Sequence, residues 1–96
     1  MKRLIVNADD FGLHPAVNHG IIEGDEKGCI RSTSFVAAGA AAKEAAELAK
    51  NHPGLGVGIH LTLVAERPVL PPSNVPSLIG KTGICCPTIR RLSAAI

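Results

Sequence analysis

Aromatic residues are scarce in this sequence of 96 residues, which has no tryptophan, no tyrosine and only two phenylalanines, Phe11 and Phe35. With only two aromatic rings, the core must be built mainly from Ile, Leu, Val and Ala. We therefore expect each ordered residue to bury little apolar surface area. Hydrophobic residues still make up 46% and charged residues 19% of the chain, which argues against a disordered or fibrous protein. The length fits one small domain and not two.

Cysteine is also rare. The three thiols, Cys29, Cys85 and Cys86, match neither a disulfide framework nor a zinc-binding spacing.

The apolar run near the amino terminus ends at Asn7, before it reaches the roughly 7 apolar residues of a signal peptide. No stretch approaches the roughly 20 apolar residues of a membrane span. We therefore expect a soluble, cytoplasmic protein with no membrane partner.

Positive charge is sparse. The formal net charge is +2, and the only adjacent basic pairs are Lys2-Arg3 and Arg90-Arg91. Proteins that bind nucleic acid present a clustered basic surface. The sequence therefore predicts no nucleic-acid partner.

Apolar runs alternate with amphipathic segments, each bounded by Gly, Pro or polar residues. This pattern predicts strands and helices in strict alternation: strand 3–8, helix 15–27, strand 32–36, helix 40–50 and strand 55–63. Short connections between such elements are typical of right-handed βαβ units with a parallel sheet. The predicted fold class is α/β, with the first strand buried on both faces.

We expect one incomplete domain over residues 1–96. Its βαβαβ core would cover residues 1–64, and a proline-rich extended loop would follow over 65–86, including Pro68, Pro71, Pro72 and Pro76. Pro87 could open a last helix over 87–96.

Three polar side chains follow predicted strands. Asp9 and Asp10 come just after the first strand, and His60 lies near the end of the third. In parallel α/β folds the carboxyl ends of the strands open on one face, where ligand sites form. One carboxylate and one imidazole could bind a divalent ion, while the other carboxylate takes a proton from water. The alternative is a solvated turn or a helix cap at the acidic pair and an ordinary, partly buried histidine at His60.

Two other functions fit an α/β chain of this kind. A signalling receiver domain also has an acidic pair after its first strand, but it needs an aspartate near the end of the third strand, and residues 55–65 contain none. A non-catalytic module could bind sugar or a partner chain through the same face. Metal-independent binding would identify such a module.

Several strings follow one another along residues 1 to about 72: NADDFGL at 7–13, Val17-Asn18, Gly20-Ile21-Ile22, Ser32-Thr33-Ser34 and GVGIHLTL at 56–63. Together and in this order they resemble the opening of the YdjC-type (also ChbG-type) family of carbohydrate deacetylases. The resemblance implies a distorted (β/α) barrel that removes acetyl groups from N-acetylated mono- or oligosaccharides, such as chitooligosaccharides, with a divalent metal, magnesium or zinc. It further implies that Asp9 is the general base and that Asp10 and His60 are metal ligands.

The same resemblance implies a third metal ligand, a histidine downstream, but no histidine follows His60. His14, His19 and His52 are expected to be surface or helix-terminal residues, with only His14 near the site. We therefore expect an amino-terminal fragment or a truncated gene product that is inactive alone. An open three-stranded sheet exposes its edges, so we also expect self-association into a homo-oligomer.

Overall fold

The computed structural model describes residues 1–85 and divides the chain into two compact units. The first unit is Met1–His60, and the second begins at Leu61. Among the helices in the described part, none is long and apolar enough to cross a lipid bilayer.

The first unit alternates strands and helices. Its elements are β1 (Val6–Phe11), α1 (Pro15–Lys27), β2 (Ile30–Phe35), α2 (Ala42–Asn51) and β3 (Gly56–Ile59). The three strands form one parallel sheet in the order β1-β2-β3. The predicted α/β class and the parallel βαβαβ order are confirmed.

The core lies between the sheet and the two helices. Phe11, Ile21, Ile22, Ala45 and Leu55 form its buried centre. The two phenylalanine rings, on neighbouring strands, meet edge to face with centroids 6.3 Å apart, which joins β1 to β2 on this face. Because residues alternate along a strand, the residues between these apolar positions point to the other face of the sheet.

That other face is open and polar. Along β1, Asn7 and Asp9 are exposed while Val6 and Ala8 are half-buried. The prediction that the first strand is buried on both faces is wrong, because both described helices cover the same side of the sheet. The open face is therefore available to ligands.

The bounds of the strands differ from the prediction. The first strand starts at Val6, since it is Val6 that pairs with Ile30 at the beginning of β2, and it runs on to Phe11. Further along, Ala8 pairs with Thr33 and Phe11 pairs with Phe35. Two residues of β1 therefore lie between these pairs, opposite one residue of β2. This is a β-bulge at the acidic pair. Asp9 and Asp10 thus lie inside the strand, and the prediction that they follow it is wrong.

The helix ends follow the local sequence signals. Pro15 occupies the first position of α1, His14 accepts a hydrogen bond from the Ala16 amide through Nδ1 at 3.1 Å, and Gly28 caps the carboxyl end. The predicted helix 15–27 matches α1 in both bounds. The second helix starts two residues later than predicted, at Ala42, because Gly39 to Ala41 form a turn that is hydrogen-bonded to Gly12, just after β1.

The second unit, from Leu61, contains two 3-10 helices, Pro72–Asn74 and Pro76–Leu78, and an antiparallel bridge between Ile79 and Cys85. The stretch predicted over 65–86 as an extended loop thus contains short helical turns, because proline favours the first position of such turns as well as extended chain. The helix predicted over 87–96 lies outside the described residues.

One ion pair joins the carboxyl ends of the two helices. His52, which caps α2, lies 2.7 Å from the Leu48 carbonyl through Nδ1 and 2.9 Å from Glu26 Oε1 of α1 through Nε2. Both partners accept hydrogen bonds, so only the doubly protonated ring satisfies them together. The hydrogen bond to Glu26, and after it the one to Leu48, raises the pKa of His52 above its usual 6.5.

The raised pKa of His52 predicts a pH-dependent stability. The contribution is fully present below the unfolded pKa of about 6.5 and is lost as pH rises through the higher folded pKa. Urea unfolding between about pH 5 and about pH 8 should show the wild type losing stability relative to His52→Gln as pH rises. Glu26→Gln is the matched control and should weaken the effect. Wild type and His52→Gln curves that stay parallel would contradict the prediction.

An apolar groove opens beside β3 on the helix-covered face. Its volume is about 230 Å³ and its lining is almost wholly apolar. The residues that line it are Phe11, Phe35, Ala45, Ala46, Ala49 and Val57. Val57 and Ile59 are 43% and 65% exposed, and β3 is an edge strand, so the groove and the free edge adjoin.

This groove predicts association of the protein at high concentration, since adjoining apolar surface and a free strand edge favour contacts between copies. Sedimentation velocity of the wild type should show an average mass that rises with concentration. Val57→Lys should reduce that rise, and Ser73→Lys, which adds the same charge in the second unit, should not. A monomer at every concentration would overturn the expectation.

Candidate functional site

The bulge in β1 leads into a tight turn at the carboxyl end of the strand. Leu13 donates its amide hydrogen to the Asp10 carbonyl at 3.0 Å, which closes the turn. Asp10 has φ +69° and Gly12 has φ +99°, both in the left-handed region. A non-glycine residue in this region is uncommon and often marks a functional site. The sequence NADDFG therefore folds into a strained backbone at its acidic end.

The turn is packed too closely for side chains at two glycines. A Cβ on Gly12 would lie 2.9 Å from the Val36 carbonyl oxygen, and one on Gly39 would overlap the Gly12 carbonyl. Backbone hydrogen bonds fill the same space: Val36 donates to the Phe11 carbonyl at 2.7 Å and Ala41 donates to the Gly12 carbonyl at 2.9 Å. The segment before α2 thus braces the turn directly.

Asn18 of α1 fixes the turn from the other side. Its side chain is fully buried; Oδ1 accepts the Gly12 amide hydrogen at 2.7 Å, and Nδ2 donates to the Ala41 carbonyl at 3.1 Å and to Glu44 Oε2 at 2.8 Å. The amide has one orientation only, because its oxygen faces a donor and its nitrogen faces two acceptors. This single residue joins the acidic turn to both helices.

Asp10 and His60 come together on the open side of the bulge. Asp10 Oδ1 lies 4.0 Å from His60 Nδ1, and the two side chains are 51% and 43% exposed. His60 directly follows β3 and its amide donates to the Phe35 carbonyl at 2.9 Å, which extends the pairing with β2. In a regular strand the Asp10 side chain would face the helices, opposite to Asp9. The bulge instead brings Asp10 to the same edge of the sheet as Asp9 and His60, which we call the rim. Residues 50 positions apart in sequence thus share one edge of the sheet.

Asp9 lies in a closed hydrogen-bond triangle on the open face. Its Oδ1 accepts from Asn7 Nδ2 at 3.0 Å and from Ser34 Oγ at 3.2 Å, and Asn7 Nδ2 also donates to Ser34 Oγ at 3.1 Å. No sequence pattern assigned a role to Asn7, Ser34 or Asn18. The alternation of residues along a strand places Asn7 and Asp9 on one face, but it does not identify Ser34 as their partner.

The other histidines lie elsewhere. His14 caps the amino end of α1, His19 is exposed and lies 3.3 Å from Glu44 Oε1, and His52 caps α2. Their predicted surface or helix-terminal placement is confirmed. Within residues 1–85, no group of three or more His, Cys, Asp or Glu side chains is arranged to hold a metal ion.

The larger cavity of about 350 Å³ belongs to the second unit and is lined by Arg67, Pro68, Pro72, Thr82, Gly83 and Ile84. None of the predicted site residues lines it. The predicted site residues Asp10 and His60 lie instead in the first unit, beside each other at the edge of the sheet.

Comparison with known proteins connects this rim to a family. The family model described as YdjC-like protein matches residues 3–95, almost the whole chain. The chain belongs to the YdjC-like family. The resemblance found in the sequence is thereby confirmed.

Curated relatives and a solved structure extend the comparison. A carbohydrate deacetylase of Geobacillus stearothermophilus is 49% identical over 79 residues, which are 82% of this chain and 31% of the relative. A chitooligosaccharide deacetylase of Serratia marcescens is 42% identical over 85% of this chain and 31% of its own length. A crystal structure from Enterococcus faecalis V583, of a candidate cellobiose-phosphate cleavage protein, is similar with a TM-score of 0.80 and 35% identity, over 95% of this chain and 39% of that one.

The chain thus spans about a third of the length of the curated relatives it matches. The range matched by the family model, residues 3–95, includes the acidic pair and His60.

Loss of the Asn18 side chain should loosen the acidic turn. Asn18→Ala removes three hydrogen bonds and leaves the buried Gly12 amide without its acceptor, so we expect a loss of about 2–4 kcal/mol in the free energy of unfolding. Asn51→Ala, at the exposed end of α2, is the matched control and should change stability by less than about 0.5 kcal/mol. Urea titration measures both. Equal stabilities of the two variants would show that the turn does not depend on Asn18.

Proposed function

We propose that the protein supplies part of the catalytic centre of a metal-dependent carbohydrate deacetylase, with Asp9 as general base and Asp10 and His60 as metal ligands. The observation that carries this proposal is the 4.0 Å approach of Asp10 Oδ1 to His60 Nδ1 beside Asp9, at the strand ends of an α/β sheet. Carbohydrate is the substrate class because relatives 42–49% identical are named carbohydrate or chitooligosaccharide deacetylase. The substrate we propose is an N-acetylated mono- or oligosaccharide.

The two donors fit a divalent cation. A carboxylate oxygen and an imidazole nitrogen are ordinary ligands of zinc, and a carboxylate also suits magnesium. Two tetrahedral zinc ligands at about 2.0–2.2 Å from one ion lie roughly 3.4 Å apart. The separation of 4.0 Å would therefore close to one ion after a small rotation of these exposed side chains. When bound, such an ion activates water and polarises the acetyl carbonyl. Binding would also relieve the repulsion between the adjacent Asp9 and Asp10 carboxylates.

The side chains of this chain have separate tasks in amide hydrolysis. Asp9 is a base on the open face, where it can take the proton of an attacking water. Asp10 and His60 set the position of the reacting acetyl group relative to that base. The left-handed backbone at Asp10 keeps the two carboxylates of the pair on one rim, so one can bind while the other takes the proton.

Two protein ligands hold a metal weakly, since catalytic zinc sites usually use three. We therefore propose that the 96-residue chain by itself binds metal with low affinity and does not catalyse deacetylation. The proposed compartment is the cytoplasm, in keeping with the free thiols of Cys29 and Cys85.

Metal binding provides the direct test. In calorimetric titrations of the full chain with zinc, Asp10→Asn and His60→Gln should each weaken binding roughly tenfold or more. His19→Gln changes an exposed histidine outside the rim and should leave the affinity unchanged. If His60→Gln and His19→Gln bind zinc alike, the proposed metal site is wrong.

A second titration with a chitooligosaccharide distinguishes catalysis from simple sugar binding. Sugar affinity that stays the same after chelation of the metal and in Asp10→Asn would favour a non-catalytic binding module.

A further inference from the structure

On the open face of the sheet, Asp9 is the one carboxylate of the acidic pair that is held by side chains of two strands. Asn7 precedes it on β1 and Ser34 comes from β2, and both hydrogen bonds end on the same oxygen, Oδ1. Among the hydrogen bonds of residues 1–85, none ends on Asp9 Oδ2. The two carboxylate oxygens of Asp9 are thus in different environments.

We infer that Asn7 and Ser34 are positioning residues that orient Asp9 so that Oδ2 is the atom that takes the proton. A carboxylate whose Oδ1 accepts two hydrogen bonds has a fixed rotamer and presents its other oxygen in one direction. A general base must meet the proton it removes within hydrogen-bond reach, so a fixed direction favours transfer. The inference rests on the proposed function for the role of Asp9 as base, but the orientation itself does not.

The polarity of the triangle is consistent. Asn7 Nδ2 donates one hydrogen to Asp9 Oδ1 and the other to Ser34 Oγ. Ser34 donates its single hydroxyl hydrogen to Asp9 Oδ1. Since Asp9 accepts only, the Asn7 amide must turn its nitrogen toward it. The triangle therefore has one hydrogen-bond arrangement and one orientation of each side chain.

The bulge is what lets the triangle close. Ser34 lies opposite the extra residue of β1, between the Ala8–Thr33 and Phe11–Phe35 pairs. Ser32 lies two residues earlier on the same face of β2 and has no hydrogen bond to Asp9. Substituting either serine by alanine removes one hydroxyl from the same face of β2. Ser32→Ala is therefore the matched control for Ser34→Ala.

All three hydrogen bonds are exposed to solvent, where water replaces lost partners at little cost. Loss of the triangle should therefore change the orientation of Asp9 far more than it changes stability. A residue that is merely structural would show the reverse.

The test measures the side-chain rotamer of Asp9 by NMR, from its Hα–Hβ couplings, in the full chain without metal. The wild type should show the couplings of one staggered rotamer, which are one large and one small at χ1 near 180° or −60° and two small ones at χ1 near +60°. In the Asn7→Ala/Ser34→Ala double variant both couplings should converge on one averaged value, while the melting temperature stays near that of the wild type. Ser32→Ala should keep the wild-type couplings, and so should Ser34→Thr, which retains the hydroxyl.

Unequal couplings that persist in the double variant would overturn the inference. So would averaged couplings in the wild type. Because this readout needs neither metal nor turnover, a fixed Asp9 in a chain that fails to bind zinc at Asp10 and His60 would refute the proposed function and leave the positioning intact.

Discussion

The buried side-chain amide of Asn18 holds the acidic turn, on which the position of Asp10 depends, against the two helices. It accepts from the Gly12 amide, donates to the Ala41 carbonyl and to Glu44, and so ties the acidic turn to α1 and α2. A buried polar group is tolerated only when its hydrogen bonds are made, which gives the turn one conformation. The left-handed backbone of Asp10 is held in place by this network, and with it the carboxylate that we propose as a metal ligand.

The two faces of the sheet differ in composition, one being apolar and buried and the other polar and exposed. Phe11 and Phe35 face the helices and build the core, whereas Asn7, Asp9 and Ser34 face solvent and form a polar network. A regular strand would send Asp10 to the apolar face; the bulge instead adds it to the polar rim. One extra residue thus places two adjacent carboxylates where a single site can use both.

The sequence was sufficient for the element order, the bounds of α1 and the family, because apolar periodicity, Pro15, Gly28 and the NADDFG string are local signals. It also placed Asp9, Asp10 and His60 at one edge, since the strand ends of a parallel sheet converge. It could not reveal the bulge, because an extra residue appears only when two strands are paired. For the same reason, the partners of Asn18 and the triangle around Asp9 required the three-dimensional arrangement.

We propose that the turn held by Asn18 and the end of β3 bring Asp10 and His60 to one cation. Anomalous diffraction at the zinc edge, from crystals of this chain grown with zinc, would locate that cation. We expect a peak within bonding distance of both an Asp10 carboxylate oxygen and His60 Nδ1. A peak bound by His14, His19 or His52 alone, with the His60 ring turned away from Asp10, would contradict it.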